Sequence, residues 1–130
     1  MKPMVMSNVD EGDMLFHNDR GSWNVTRAIR DCKAGKHKRY VEWVADVYAS
    51  SSAIEYDEAK VAAMMAVKQF DLLIGVIDDG KMWLIDGRHR LEVMHRRGDL
   101  ELFWYIIEEA DAGPYRVLYN GKRKPPFKTH

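Results

Sequence analysis

Two uninterrupted apolar stretches constrain the fold of this chain most strongly. Residues 72–77 read Leu-Leu-Ile-Gly-Val-Ile and are followed by two aspartates and a glycine, and residues 102–107 read Leu-Phe-Trp-Tyr-Ile-Ile and are followed by two glutamates. A short apolar run between polar turns is typical of a strand that is buried on both faces. We therefore expect both runs to lie in one sheet.

The segment between these runs predicts a hairpin and a helix. Asp79-Gly80 is a strong turn signal, so residues 81–85 are expected to return as a strand paired with the first run. A helix is expected from Arg88 to Arg97, because Gly98 supplies the residue at which helices commonly stop. This helix should pack on the sheet.

The N-terminal part predicts one short strand and one helix. Residues 14–16 are expected to form the strand. The helix is expected to start near Ser22, a suitable N-cap before Trp23, and Gly35 is suited to follow its end.

A second strand and a second helix are predicted before the first apolar run. Residues 40–48 are rich in β-branched and aromatic side chains with period-two patterning, which favours a strand, and residues 49–52 are expected to form a loop. Asp57 is a suitable N-cap for a helix over residues 58–70.

The resulting element order predicts a small α/β or α+β domain with a mixed sheet and packed helices. A length of 130 residues favours a single domain. Within it we expect an N-terminal extension with one helix (1–38), a core (39–112) and a basic C-terminal tail (113–130). Residues 115–119 could add a short strand.

Composition excludes several classes of protein. The 20 basic and 20 acidic residues balance, which argues against a surface that attracts nucleic acid as a whole, although a local basic patch stays open. The single cysteine, Cys32, excludes an intramolecular disulfide and favours a reducing cytoplasm. No apolar run reaches the roughly 20 residues that a membrane span needs, so no membrane partner is expected.

The segment Asp86-Gly87-Arg88-His89-Arg90 carries the clearest chemical signal. It lies where a predicted strand ends and a helix begins, and the first backbone N–H groups of a helix attract anions. A glycine lets a bulky anion approach, two guanidinium groups suit phosphate, and a histidine can donate a hydrogen bond. The pattern indicates phosphate binding. The competing interpretation is that one or both arginines form ordinary salt bridges with Asp86, Glu108 or Glu109, and residue chemistry alone leaves both open.

The motif over residues 84–91, with Gly98 and the strand that ends at Ile107, resembles the ParB/sulfiredoxin superfamily. The resemblance spans about residues 40–109. It implies a nucleotide-binding domain in which Gly87, Arg88, His89 and Arg90 bind phosphates, with a nucleoside triphosphate or diphosphate of unknown base as the ligand.

The chain also departs from that superfamily. Sulfiredoxins carry a reactive cysteine where Arg88 stands here, and Cys32 lies on another predicted helix, so sulfinic acid reduction is not expected. The roughly 20 residues after Glu109 cannot hold the helix-turn-helix and dimerisation domains of a partition protein. A small standalone domain of this kind would suit a phage or a mobile element.

Two functions follow as hypotheses. In an NTP-dependent phosphotransferase or nucleotide hydrolase, Asp86 would hold Mg²⁺ or orient an acceptor, or would merely cap the turn, and His89 would act as acid, base or phosphate donor. The alternative is a non-catalytic module that binds DNA, RNA or a protein, such as a phage regulator or inhibitor. The basic run over residues 33–39 and the basic residues 122–124 favour this alternative. Glu55 is a weaker candidate base, and the polar loop 17–20 is expected to be a surface loop.

Overall fold

The computed structural model describes residues 3–123, and within this range the chain is a mixed α and β structure. Residues 3–123 contain eight strands in two four-stranded sheets, with four α-helices. The expected fold class, a small α+β protein with helices packed on a mixed sheet, is confirmed.

The elements follow one another without long unstructured connections. The strands are β1 (Met6–Ser7), β2 (Leu15–Asn18), β3 (Gly21–Asn24), β4 (Lys38–Trp43), β5 (Leu73–Asp78), β6 (Lys81–Asp86), β7 (Glu101–Ile107) and β8 (Arg116–Tyr119). The helices are α1 (Val25–Lys33), α2 (Val44–Ser51), α3 (Glu58–Met64) and α4 (Arg88–Arg97).

The central sheet has the strand order β4-β7-β5-β6. β5 and β7 are parallel, with Leu73 opposite Trp104, and the two outer pairs are antiparallel. The sheet therefore joins the two apolar runs and the hairpin strand, as the sequence predicts, and α4 packs on it through Leu91 and Met94.

The central sheet is covered on both faces, which explains its continuous apolar runs. One face packs against α2 and α4, and its core includes Leu73, Leu84 and Ile106. The other face packs against α1 and the outer sheet, and its core includes Ile74 and Ile107. Neighbouring residues along a strand thus enter different cores.

The outer sheet joins the two ends of the chain in the order β1-β8-β3-β2. Ser22 of β3 lies opposite Val117 of β8. The segment 113–130, expected to be a basic tail, therefore contains a strand of the outer sheet, and the expected N-terminal extension contributes strands as well as its one helix. Residues 124–130, at the end of that tail, lie outside the described range.

The first helix begins later than predicted. Ser22 and Trp23 belong to β3, and the N-cap is Asn24, whose side-chain oxygen accepts the backbone N–H of Arg27 at 3.0 Å. Both asparagine and serine are good N-caps, and the pairing of β3 with β2 and β8 decides between them. Gly35 follows the helix with φ of +81°, as expected.

The predicted strand 40–48 is wrong in its second half. β4 ends at Trp43, and residues 44–51, including most of the expected loop, form α2. Val44, Val47 and Ser51 are buried at helical spacing against the central sheet and α4. Packing of this face overrides the β propensity of the valines.

The helix predicted over 58–70 is too long, because α3 ends at Met64. Asp57 caps it as expected by accepting the N–H of Ala59 at 2.9 Å. Beyond the helix, Arg97 donates to the carbonyl of Val67 at 2.6 Å, and Phe70 packs on the core beneath α4. These tertiary contacts replace further helical turns.

Among the helices of residues 3–123, none combines the length and the apolar character that crossing a membrane requires.

Candidate phosphate-binding site

The turn between β6 and α4 requires a glycine for two separate reasons. Gly87 has φ of +105°, which L side chains rarely adopt. A Cβ atom here would also lie 2.6 Å from Cγ of Leu73. Gly87 therefore allows α4 to begin close against β5. The absence of a side chain at this position serves the packing of the helix on the strand.

No side chain among residues 3–123 caps the N-terminus of α4. Gly87 offers no capping side chain, no acidic residue lies in the first turn, and the first intrahelical bond runs from the N–H of Leu91 to the carbonyl of Gly87. The N–H groups of residues 88–90 therefore need partners from outside the helix. Their partial positive charge makes this end of the helix suitable for an anion.

Arg88 is buried beneath this helix end, with 7% of its surface exposed. Its Nε donates to the carbonyl of Ile54 at 2.9 Å, and its Nη2 donates to Glu92 at 3.1 Å. Its guanidinium group also lies 4.7 Å from the ring centroid of Tyr56. Nη1 is buried without a partner among the described residues, so one strong donor is left unsatisfied.

Arg90 stabilises the fold on the other side of the helix. Its Nη2 donates to Asp86 at 2.7 Å, and its Nη1 donates to the carbonyls of Asp71 and Leu72 at 3.0 and 3.3 Å. These bonds tie α4 to the segment that enters β5. The salt-bridge interpretation therefore holds for Arg90 with Asp86, but not with Glu108 or Glu109.

His89 connects α4 to α3. Its Nε2 accepts the backbone N–H of Asp57, the N-cap of α3, at 3.0 Å. Burial and the nearby ammonium group of Lys60 hold the pKa of His89 below its ordinary value, despite the opposing charge of Asp57. His89 is thus neutral at pH 7, and this nitrogen is occupied.

A cleft opens in front of the α4 N-terminus. It consists of a cavity of about 190 Å³ lined by residues 85–89 and a cavity of about 560 Å³ lined by His17, Asn18 and Trp83. Both cavities are also lined by Phe16, Ile54, Glu55 and Leu84. We call this combined space the α4 cleft, and its volume is within the range of small-molecule sites.

The α4 cleft gathers only part of the predicted site. Asp86, Gly87, Arg88 and His89 line it, whereas Arg90 lines a smaller cavity beside Cys32 and Asp71. His17, Asn18 and Asp19 of the expected surface loop 17–20 contribute to its walls together with Glu55. The loop prediction is wrong for His17 and Asn18, which belong to β2 and pair with β3. Oδ2 of Asp86, the residue expected to hold Mg²⁺ or to orient an acceptor, accepts a hydrogen bond from Arg90 at 2.7 Å.

One buried polar cluster has no counterpart in the sequence analysis. Asp78 is 2% exposed and accepts hydrogen bonds from Arg20 at 3.0 Å, Arg116 at 2.9 Å and Arg123 at 2.6 Å. The cluster joins the central sheet to both ends of the chain. The sequence marks Asp78 only as part of a turn, and its partners are too distant in sequence for any local pattern to reveal.

Cys32 lies in the core between α1 and the central sheet, with 2% of its surface exposed. Burial, with a smaller contribution from Asp31, raises the pKa of its thiol to about 12. A reactive thiolate is therefore not favoured here. Within residues 3–123, no group of three or more histidine, cysteine or acidic side chains is placed to hold a metal ion.

Comparison of the chain with protein-family models, curated proteins and solved structures found no match.

Proposed function

We propose that the protein binds a nucleoside phosphate in the α4 cleft, with the phosphate at the N-terminus of α4. The observation that carries this proposal is the open N-terminus of α4 at one end of the cleft, with the guanidinium group of Arg88 buried beside it. Among residues 3–123 no side chain caps the N–H groups of the first turn, and Nη2 of Arg88 is paired with Glu92 at 3.1 Å while its Nη1 is buried without a partner. An anion at this end would satisfy the helix N–H groups and would be attracted by the positive charge beside them.

The wide end of the α4 cleft suits the nucleoside. Phe16, Trp83 and Leu84 provide apolar surface for a planar ring, while His17 and Asn18 provide polar groups. Oδ1 of Asn18 accepts the backbone N–H of Arg20 at 2.8 Å, and Nδ2 is buried without a partner among residues 3–123. An apolar surface with a few polar groups is typical of ligand sites.

Glu55 lies where the two cavities meet, and its side chain is exposed. A carboxylate accepts hydrogen bonds and repels phosphate, so this position suits the hydroxyl groups of a sugar. The order phosphate, sugar, ring along the cleft then matches the order of Arg88, Glu55 and Trp83.

The proposal is binding and not phosphoryl transfer. Asp86 and His89, the expected catalytic pair, are both engaged in contacts that maintain the fold. A general base must be free to reach the proton that it removes. Arg88 and the helix N-terminus, by contrast, need only hold charge.

Isothermal titration calorimetry with ATP, ADP, CTP and GTP, each with Mg²⁺ and with EDTA, tests the proposal. Ala53 is exposed on the wall of the cleft, so Ala53→Glu adds a negative charge without removing a contact of the fold. Ala53 lies at the nucleoside end of the cleft, and we expect Ala53→Glu to weaken binding of the best nucleotide at least about fivefold, because the added charge repels the phosphates along the cleft.

The matched control is Ala53→Gln, which has nearly the same size and no charge. We expect it to bind within about threefold of wild type, since only the electrostatic contribution differs. Equal weakening by both variants would indicate a steric effect, and binding by neither variant nor wild type would refute the proposal.

A further inference from the structure

We infer that two copies of this chain associate through β4, which lies at the free edge of the central sheet. β4 pairs with β7 on one side only. Its other side has no strand partner among residues 3–123. The N–H of Trp43 donates to Oε1 of Glu42 at 3.2 Å, and the remaining alternate N–H and C=O groups of this edge are available to a second strand. This inference is independent of the proposed function.

An exposed apolar cluster surrounds this edge. Val41 and Trp43 of β4 are 54% and 55% exposed, and Phe103 of β7 is 60% exposed. Val41 lies directly opposite Phe103, so the three side chains share one face of the sheet. An apolar cluster beside an unpaired strand is typical of an interaction surface.

The sequence of β4 is complementary to itself in an antiparallel pair. In an antiparallel pair, residues that lie directly opposite each other point to the same face of the sheet, and successive side chains along a strand alternate between faces. A two-fold axis that relates two copies of β4 must therefore pass between one residue and the same residue of the partner subunit. With Tyr40 at the axis, Lys38 stands opposite Glu42 of the partner subunit, and this ion pair occurs twice. Opposite charges at directly paired positions stabilise a sheet.

The same register also covers the apolar cluster. Arg39 stands opposite Val41 of the partner subunit and diagonal to the partner's Trp43. The methylene groups of an arginine cover apolar surface, and its guanidinium group favours the face of an indole ring. The second copy thus supplies cover for side chains that the monomer leaves exposed.

Sedimentation velocity over a concentration series from about 1 to 200 μM tests this inference in the full chain. We expect a reversible monomer–dimer equilibrium for wild type. Lys38→Glu places like charges opposite each other and should weaken the dimer at least about tenfold. The double variant Lys38→Glu/Glu42→Lys restores opposite charges and should return the dissociation constant to near the wild-type value.

Lys81→Glu is the matched control, because Lys81 is exposed at the start of β6, the other edge strand of the same sheet. It makes the same change of charge and should leave the dimer intact. The inference would be overturned by any of three results. The wild type could stay monomeric at every concentration, the Lys38→Glu dimer could be as stable as the Lys81→Glu dimer, or the double variant could fail to recover the wild-type dissociation constant. Lys38 and Lys81 are exposed and Glu42 is half-buried, so the melting temperatures of the two single variants should stay close to wild type, which separates loss of association from loss of folding.

Discussion

His89 accepts a hydrogen bond through Nε2 from the backbone N–H of Asp57 at 3.0 Å, and this bond joins the start of α4 to the start of α3. Only neutral imidazole can accept it. Two helix N-termini that are 32 positions apart in sequence are therefore coupled to the protonation state of one side chain.

This bond predicts a loss of stability in mild acid. The pKa of His89 in the folded protein is lowered by burial and by Lys60 from an ordinary value of 6.5. At a pH between the lowered pKa of the folded protein and the ordinary pKa of the unfolded chain, the unfolded chain binds more protons than the folded protein does. The free energy of unfolding therefore falls as pH falls from about 7 toward the lowered pKa. Urea denaturation at a series of pH values measures this slope. His89→Gln keeps an acceptor but does not titrate, and it should flatten the slope. An equal slope in both proteins would contradict the assignment.

Gly87→Ala should destabilise the protein more than Gly80→Ala. Both glycines have positive φ, which costs another residue about 1–2 kcal/mol. At Gly80 an added Cβ atom meets nothing within 4 Å, whereas at Gly87 it meets Leu73 at 2.6 Å. Overpacking adds about 1–3 kcal/mol, so chemical denaturation should separate the two variants by that amount. Equal losses would show that backbone conformation alone requires Gly87.

Asp78→Asn should be among the most damaging single substitutions. Burial alone would raise the pKa of Asp78, but hydrogen bonds from Arg20 and Arg123 outweigh it and hold the pKa below its ordinary value. Removing the charge leaves three guanidinium groups without their shared counter-ion. Because these arginines are 21–39% exposed, we expect the cost of a lost charge-assisted hydrogen bond, about 1.5–3 kcal/mol. The control is Asp79→Asn, because Asp79 is exposed and its ion pair with Arg20, at 3.6 Å, should contribute less than about 1 kcal/mol. Thermal unfolding of both variants distinguishes the buried cluster from surface charge, and similar melting temperatures would refute the role of Asp78.

Arg90→Ala should reduce stability and spare ligand affinity. The guanidinium group bonds Asp86 and two backbone carbonyls, and loss of a charge-assisted bond costs about 1.5–3 kcal/mol. Calorimetry at a temperature where the variant is folded should give a dissociation constant within about threefold of wild type. A large loss of affinity without a loss of stability would return Arg90 to the phosphate site.

Cys32 should react slowly with thiol reagents in the native protein. Its thiol is buried and its pKa is raised to about 12, so the thiolate is scarce at pH 8. Iodoacetamide labelling followed by mass spectrometry should require unfolding. Cys32→Ala should keep the fold and ligand binding, whereas Cys32→Ser places a hydroxyl group in an apolar core and should cost more stability. Rapid labelling of the folded protein would contradict the buried placement.

The regions that the sequence predicts best are those where local signals agree with one another. The hairpin at Asp79-Gly80, the stop of α4 at Gly98 and the two apolar runs each combine a turn residue with a matching hydrophobic pattern. The segment 40–48 is predicted poorly because β propensity and helical burial pattern conflict there. Only the surface offered by α4 and the central sheet resolves that conflict, in favour of α2.

For the candidate site, the sequence identified the position and the residue types, but not the direction of the side chains. Gly87 and the helix start follow from local patterns, because both depend on backbone conformation within a few residues. The two arginines have different roles, because Arg88 lines the α4 cleft whereas Arg90 bonds Asp86. This difference depends on partners that the fold brings from other parts of the chain. The Asp78 cluster is the extreme case, since its arginines come from both ends of the chain. The pattern of apolar residues in the sequence therefore determined the layers of this protein. The pairing of its charges was decided only by the tertiary structure, because an ion pair depends on distance in space and leaves no periodic pattern in the sequence.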